Sequence, residues 1–303
     1  MGKTATEPQA GGTDTTADRP RGGIDVFDHV IVRQPLRPGR TDTLRDRLAS
    51  WVGNVADGDA RSLLPVDGVH LVTLFLDRGG FAAGTDDDAL VWYIEVRDRG
   101  VDPWTDPVAT VRGSPLFDAD AGIGELLGAA ATVHTAGHGG SRFVTHATNP
   151  KRRERYASAV GRPLVAPVAG EDLPTPVALV SMPLRSRPRA AVVARGLDLV
   201  NRLKRSAWLR ERYRDATDVL EEERMYTESL LFDPTGDRPV LHYYMETEDM
   251  DRLYEAYEAS NSWTVRLSDW MFRRFLERPE AFLAPPLESD CEVLVHAVDP
   301  DRP

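Results

Sequence analysis

The chain has 303 residues, which is long enough for two domains of ordinary size. Its apolar fraction of 41% and charged fraction of 28% are typical of a soluble globular protein, and no apolar run approaches the roughly 18 residues that a membrane helix needs. The net charge of −11 repels phosphate backbones and the single cysteine excludes an intramolecular disulfide, so we expect a cytoplasmic protein without nucleic-acid or membrane partners.

The first half of the chain begins with a segment unlike the rest. Residues 1–23 are rich in Thr, Gly, Asp and Ala and lack an apolar centre, which predicts a disordered leader rather than a secretory signal. Strands are then predicted at 27–36, 69–76, 89–96 and 142–148, and an amphipathic helix at 41–57. Prolines and glycines interrupt the following segment, 102–128, so the second helix of this half is predicted to be degenerate.

The second half of the chain has a more regular pattern. Strands are predicted at 177–184, 225–232, 239–246 and 292–298, and helices at 189–223, 248–260 and 265–276. Met250, Leu253, Tyr254 and Tyr257 recur at the spacing of one helical face, which makes the second of these helices the clearest. The two halves therefore have similar orders of predicted elements.

Three short segments of the first half recur in the second. The matched residues are Pro35 and Pro183, Tyr93 and Tyr244, and His146 and His296, which lie 148, 151 and 150 positions apart. Three matches at nearly constant spacing indicate an internal duplication.

Each half has the predicted order β-α-β-β-α-β, which is that of a ferredoxin-like unit. The predicted fold class is therefore α+β, with two ferredoxin-like repeats at 24–150 and 173–303 joined by a linker at 151–172. The sheet of such a unit leaves one face open, and two units can cover each other's open faces. We expect a fused dimeric α+β barrel, closed within one chain as a pseudo-dimer or between two chains as a homodimer.

The segment 243–250, Tyr-Tyr-Met-Glu-Thr-Glu-Asp-Met, leads directly into a predicted helix. It resembles an uncharacterised family of small proteins in the dimeric α+β barrel superfamily, which also holds antibiotic-biosynthesis monooxygenases and haem-containing chlorite dismutases. The resemblance covers 177–300 well and the first half less well, because of the prolines there. It implies the fold, and as an activity an oxidoreductase that is cofactor-independent or haem-dependent. The motif is short, and such folds host many functions.

The basic residues of this acidic chain are almost all arginines. Only three of the 37 basic residues are lysines, which is typical of halophile-type proteins, although a GC-rich genome predicts the same bias. The one basic cluster, 151–155, lies between the repeats and is interpreted as part of a solvated linker.

Strand alternation places a tyrosine and a glutamate on one face of each predicted third strand. Tyr93 and Glu95 share the open face in the first repeat, as do Tyr244 and Glu246 in the second. Such a pair can orient a ligand or hold a proton near a bound substrate. The alternative is that both glutamates lie at strand ends, exposed or capping the next helix. His242 shares the face of Tyr244.

A histidine recurs in each predicted last strand. His146 and His296 could act as a base or a hydrogen-bond donor, and the family resemblance adds the role of axial haem ligand. The alternative is a pair of half-buried histidines kept for packing. Arg33, in the first repeated strand, is a further ligand-binding candidate together with His242.

The sequence offers little support for a metal or another catalytic motif. His134, His138 and His146 lie close together, but the second half has no matching histidines and the intervening loop is rich in glycine. We therefore expect no metal. Phosphate-loop, Gly-x-Ser-x-Gly and His-Glu-x-x-His patterns are absent from the chain.

Three functions remain open from the sequence. The first is the binding of a small apolar or aromatic molecule between the two sheets, without a cofactor. The second is a cofactor-independent or haem-dependent monooxygenase-like oxidoreductase, in which the tyrosines, glutamates and histidines act on the substrate. The third is a purely structural, self-assembling module.

Overall fold

The computed structural model describes most of the two predicted repeats. The described residues are 28–55, 60–80, 86–97, 104–118, 121–135, 141–149, 152, 175–185, 192, 195, 220, 224–235, 238–259, 263–285, 287, 289, 291–299 and 302. No helix within these ranges is long and apolar enough to span a membrane. The predicted leader 1–23 lies outside them, as do nearly all of the predicted linker 151–172 and helix 189–223.

The first sheet has five antiparallel strands in the order β4-β1-β3-β2-β9. The strands are β1 (Asp28–Pro35), β2 (Val69–Arg78), β3 (Asp88–Val96), β4 (Thr132–His134) and β9 (Cys291–Val298). Their sequences are rich in Val, Leu and aromatic residues, which pack well on a pleated surface. The central strand, β3, is buried along nearly its whole length.

The second sheet has four antiparallel strands in the order β5-β7-β8-β6. The strands are β5 (Arg142–Thr148), β6 (Val177–Pro183), β7 (Met225–Asp233) and β8 (Val240–Thr247). All eight residues of β8 are buried. The α+β class with antiparallel sheets is thus confirmed.

Helices cover the outer face of each sheet. The α-helices are α1 (Thr41–Asn54), α2 (Ala60–Leu63), α3 (Pro107–Arg112), α4 (Met250–Ala259), α5 (Trp263–Phe275) and α6 (Glu280–Leu283). Leu44 and Leu48 of α1 are fully buried in the core that contains Trp92 of the first sheet. Leu253 and Phe272, from α4 and α5, pack against the corresponding core of the second sheet. Each outer core therefore joins a helix stripe to one sheet face.

The segment with many prolines contains a short helix. Asp106 caps α3, since its side chain accepts a hydrogen bond from the Ala109 amide, and Pro107 occupies the first turn, where a missing N–H costs nothing. Two 3₁₀ turns follow at Pro115–Phe117 and Ile123–Leu126. The predicted degeneracy of this region corresponds to short turns in place of a long helix.

The last strand of each half pairs with the sheet of the other half. β9, at the end of the chain, pairs antiparallel with β2, and β5 pairs antiparallel with β7. The sequence predicts instead that each last strand completes the sheet of its own half. An open sheet edge accepts any strand of suitable register, so the exchange covers one edge of each sheet and links the two sheets. β4, which the sequence did not predict, occupies the edge beside β1.

Candidate functional site

The two sheets face each other across a buried layer that contains many polar groups. Alternation along β3 directs Val91 and Tyr93 toward the second sheet and Trp92 toward the helices. Residues of both sheets, including Leu179 and Tyr244, share one buried cluster with Tyr93. We call this the inter-sheet layer, and its centre consists of Thr73, Tyr93, Ser229, Tyr244 and the two repeated histidines.

The centre of the layer is a stacked pair of tyrosines. The rings of Tyr93 and Tyr244, from different sheets, are nearly parallel, with centroids 3.6 Å apart and an interplanar angle of 5°. Tyr244 is 1% exposed and Tyr93 is fully buried. Burial raises the pKa of both hydroxyls well above the usual value, so both remain neutral at physiological pH.

The first hydroxyl–histidine chain runs from Tyr93 into the second sheet. Its hydroxyl donates to Ser229 Oγ at 2.8 Å, and Ser229 Oγ contacts His146 Nδ1. His29 also stacks on Tyr93, with ring centroids 5.3 Å apart. Burial lowers the pKa of His146 to about 4, although Glu95 opposes this shift, so the imidazole is neutral at pH 7.

The second hydroxyl–histidine chain runs from Tyr244 into the first sheet. Thr73 Oγ1 is 2.9 Å from His296 Nδ1 and 3.4 Å from the Tyr244 hydroxyl oxygen. Burial lowers the pKa of His296 to about 4, against the opposing charge of Glu246. Its other nitrogen, Nε2, is buried and has no hydrogen-bond partner among the described residues. A buried polar atom of this kind is uncommon in folded proteins and needs an explanation.

Two buried ion pairs flank the tyrosines. Arg152 donates to both carboxylate oxygens of Glu95, at 2.9 and 3.3 Å, and Arg302 donates to Glu246 at 2.7 Å. Thr227 connects the pairs, since it accepts from Arg152 at 3.1 Å and donates to Glu246 at 3.0 Å. We call these five residues the ion-pair network. Burial raises the pKa of Glu95, but Arg152 and the other nearby cationic groups together outweigh burial and lower this pKa to about 2.

A buried aspartate lies near the end of β2 and another at the end of β7, and the two have different partners. At the end of β2, Arg33 Nε donates to Asp77 Oδ2 at 2.8 Å. At the end of β7, Asp233 instead lies beside two histidines, His134 and His242. The two aspartates therefore have different partners, an arginine for Asp77 and two histidines for Asp233.

The structure brings six sequence-predicted site residues into one layer. They are Tyr93, Glu95, His146, Tyr244, Glu246 and His296, and all are buried. The alternative that the glutamates lie exposed at strand ends is wrong, because each is fully buried beside an arginine. Both histidines point into the layer, although the sequence left their direction open. Arg33 and His242, the ligand-binding candidates, lie in the same layer but contact Asp77 and Ser181 respectively.

Sequence reasoning missed the arginines of the ion-pair network. The interpretation of Arg152 as part of a solvated linker is wrong, because Arg152 is fully buried and bound to Glu95. A local pattern of charges cannot distinguish a solvated run from a run with one buried member. A signal was present in the repeat itself, since Arg152 and Arg302 lie 150 positions apart, each six residues after a repeated histidine.

The residues around the repeated histidines do not fit a haem. An axial histidine needs open space for a macrocycle beside its coordinating nitrogen. Here, among the described residues, the stacked tyrosine rings, the two hydroxyl contacts and buried apolar side chains lie close around both imidazoles, where a macrocycle would have to sit. Haem therefore has no part in the chemistry proposed below.

Comparisons with known proteins find only distant structural likenesses. No protein family and no curated protein matches the chain. Two solved structures described as proposed monooxygenases, from Lactobacillus acidophilus NCFM and Fusobacterium nucleatum subsp. nucleatum, are similar over 90% and 91% of this chain and 97% and 93% of their own. Their identities are 8% and 7%, each with a TM-score of 0.41. An anthrone oxidase-like protein is 8% identical over 90% of this chain and 91% of its own, with a TM-score of 0.35.

Proposed function

We propose that the protein binds a small planar aromatic molecule in the inter-sheet layer, where the molecule contacts the tyrosine stack and donates a hydrogen bond to His296. The observation that carries this proposal is the buried Nε2 atom of His296, which has no partner among the described residues. A ligand hydroxyl would satisfy this acceptor when Nδ1–H donates to Thr73.

The polarity of the inter-sheet layer supports a ligand site over a purely structural core. A layer that only held two sheets together would be at least as stable with apolar side chains, because buried ion pairs often contribute less than hydrophobic packing. Glu95, Arg152, Glu246 and Arg302 are nevertheless fully buried between the sheets. Convergent titratable groups with shifted pKa values are typical of functional sites.

The tyrosine stack sets the shape of the ligand. At 3.6 Å the two rings are in contact, so a ligand must replace one ring or move it aside. A flat aromatic molecule can do this with the smallest separation of the sheets, because its thickness equals that of the ring it displaces. Binding is therefore expected to require motion of Tyr93 or Tyr244.

The binding test uses 1-naphthol as a probe, because it combines a flat ring system with one hydroxyl donor. We expect saturable binding with one equivalent per chain by calorimetric titration. His296→Gln should weaken binding of 1-naphthol by roughly 10-fold, which is the value of one hydrogen bond. Tyr244→Ala should weaken this binding further. Tyr243→Phe is the matched control, because Tyr243 lies next to Tyr244 but faces the helices. Absence of saturable binding, or equal binding by the His296 variant, contradicts the proposal.

A second function, cofactor-independent oxidation, is favoured by the neutral state of both histidines. A neutral imidazole can remove a proton from an activated methylene group, and the resulting anion can reduce O₂. The methylene carbon becomes a carbonyl, one oxygen atom enters the product and the other leaves in water. His296 or His146 would act as the base, while Tyr93 and Tyr244 position the substrate.

Oxygen uptake distinguishes the second function from simple binding. With anthrone as an activated methylene compound, an oxidase consumes one O₂ per substrate, whereas a binding protein consumes none above the uncatalysed rate. The rate should fall as the pH decreases through the pKa of about 4 of the catalytic histidine. A protein that neither binds 1-naphthol nor consumes O₂ would support the structural, self-assembling alternative.

We also propose that the two halves arose by duplication of one ferredoxin-like unit and form a barrel within a single chain. The matched ion pairs support this proposal, since Glu95 and Arg152 correspond to Glu246 and Arg302 at separations of 151 and 150 positions. The exchanged strands β5 and β9 support closure within one chain. A monomer by light scattering is expected, and an obligate dimer would contradict closure within the chain.

A further inference from the structure

A second group of buried side chains lies at one end of the inter-sheet layer, apart from the tyrosine stack. It consists of His134 of β4, Asp233 at the end of β7 and His242 of β8. One ligand-type atom from each residue lies within 4.8 Å of the other two, and all three residues are buried. Sequence reasoning missed this cluster because its members lie on three strands that come together only in the folded chain.

The carboxylate of Asp233 is oriented by two further hydrogen bonds. Its Oδ1 atom accepts from the Ser141 hydroxyl at 3.2 Å and from the Thr235 backbone amide at 2.8 Å. The other oxygen, Oδ2, therefore faces the histidines, where it contacts His134 Nδ1 and lies 3.8 Å from His242 Nε2. One carboxylate oxygen is thus directed between two imidazole nitrogens.

The second imidazole is also held in position. Ser181 Oγ lies 2.9 Å from His242 Nδ1, which directs Nε2 of the same ring toward Asp233. The rings of His134 and His242 have centroids 5.0 Å apart and meet edge to face, and one ligand-type atom of each ring lies within 4.8 Å of the other. Hydrogen bonds that orient ligand side chains from behind are typical of metal sites.

The charge of Asp233 is balanced differently from that of its counterpart on β2. Asp77 is paired with Arg33, whereas no arginine or lysine in the described part of the chain forms a salt bridge with Asp233. A buried carboxylate needs a nearby positive charge, because an isolated one is strongly destabilising. A cation bound by the two histidines would supply this positive charge.

We infer that His134, Asp233 and His242 form a binding site for a first-row divalent transition-metal ion, with Zn²⁺ as the best match. Two imidazoles and one carboxylate are a donor set that zinc accepts, with the remaining position open. Ligand atoms around a tetrahedral zinc lie roughly 3.3 Å apart, so the 3.8 Å between Asp233 Oδ2 and His242 Nε2 requires only a small contraction. The ion would replace the hydrogen bond between His134 and Asp233.

The test measures metal content and affinity, which do not depend on the ligand or reaction proposed above. Because the site is buried, the full chain is unfolded in denaturant that contains a chelator. It is then refolded with Zn²⁺, or with Co²⁺ as a spectroscopic probe. We expect one equivalent of metal per chain after dialysis, and a visible absorption band for the Co²⁺ form. Asp233→Asn, which preserves shape, should abolish stoichiometric binding. Ser181→Ala should weaken it by about 10- to 100-fold, because it removes only an orienting hydrogen bond.

The matched control is His296→Gln, which removes another buried histidine of the same layer without touching the cluster. It should keep one equivalent of metal, and circular dichroism should show that the Asp233→Asn variant is folded. The inference is overturned if the refolded wild-type protein retains neither Zn²⁺ nor Co²⁺, or if Asp233→Asn binds as tightly as wild type. Loss of 1-naphthol binding with intact metal binding would contradict only the proposed function.

Discussion

At the scale of single residues, the hydroxyls of the two stacked tyrosines contribute differently despite their similar environments. Tyr93 donates to Ser229 at 2.8 Å, a good hydrogen bond, whereas Tyr244 is 3.4 Å from Thr73, where the interaction is weak. The ring contacts are shared by both. The difference between the two residues therefore lies in one hydrogen bond.

Replacement by phenylalanine measures this difference. Tyr93→Phe should lower the free energy of unfolding by about 1–2 kcal/mol, because it removes a buried hydrogen bond and leaves the Ser229 hydroxyl with one partner fewer. Tyr244→Phe should cost less than about 0.5 kcal/mol. Urea unfolding of both variants provides the comparison. Equal losses would mean that the two hydroxyl contacts are equivalent in solution.

The free energy of unfolding should depend more strongly on the buried ion pair of Glu95 and Arg152 than on either tyrosine hydroxyl. Arg152→Met should lower the free energy of unfolding by about 3–5 kcal/mol, because it leaves the Glu95 carboxylate buried without its cation. Arg224→Met is the matched control, since Arg224 pairs with Glu248 on the exposed surface, and its removal should cost no more than about 1 kcal/mol. The double variant Glu95→Leu with Arg152→Met should recover most of the loss. A loss that persists in the double variant would argue against charge as the cause.

At the scale of elements, the exchange of the last strands determines which parts of the chain stabilise each other. Val295 of β9 is fully buried in the outer core of the first sheet, together with Leu74 and Trp92, although it lies near the end of the sequence. The register places Val295 opposite Leu74 of β2. Stability of β2 is therefore expected to depend on a strand more than 200 residues away.

Local hydrogen exchange tests this dependence. Val295→Ala should destabilise the protein by about 1–3 kcal/mol, because it leaves a cavity in a packed core. Amide protection should fall in β2, the partner of β9, more than in β6, the first strand of the same half of the sequence. Val293→Ala is the control, since Val293 is only partly buried and should have a smaller effect. A loss of protection confined to β6 would contradict the strand exchange.

At the scale of the whole molecule, buried ionisable groups make stability depend on pH. The pKa values of His146 and His296 are lowered by burial to about 4, below the usual 6.5 of the unfolded chain. The unfolded state thus binds more protons than the folded state between these values. Their contribution to stability is complete above pH 6.5 and is lost as the pH falls toward 4. Glu95, with a pKa lowered to about 2, adds a further loss between about pH 4.5 and 2.

Chemical denaturation across pH 7 to 4 measures this effect. Each of the two histidines should contribute a slope of up to about 1.4 kcal/mol per pH unit, and stability should decrease toward acid. The double variant His146→Gln with His296→Gln should show a shallower slope over the same range, because it lacks two of the buried groups that titrate there. An unchanged slope would show that other groups cause the acid sensitivity.

The faces of the strands were predictable from the sequence, whereas the partners across the sheets were not. Alternation places Tyr93 and Glu95 on the face opposite Trp92, and the structure has them there. Whether Glu95 would be exposed or buried depended on Arg152, which lies 57 residues away and was assigned to a solvated linker. Local spacing contains no information about such a contact.

The sequence by itself determined the α+β class, the strand positions and the recurrence of Tyr-x-Glu and His, because periodicity and repeated spacing are local properties of the chain. Only the tertiary structure decided that β5 and β9 exchange sheets, that each repeated glutamate meets an arginine, and that His134 and His242 converge on Asp233. These outcomes depend on which open sheet edge a strand meets during folding. That choice is made by long-range packing, which the spacing of residues along one strand does not specify.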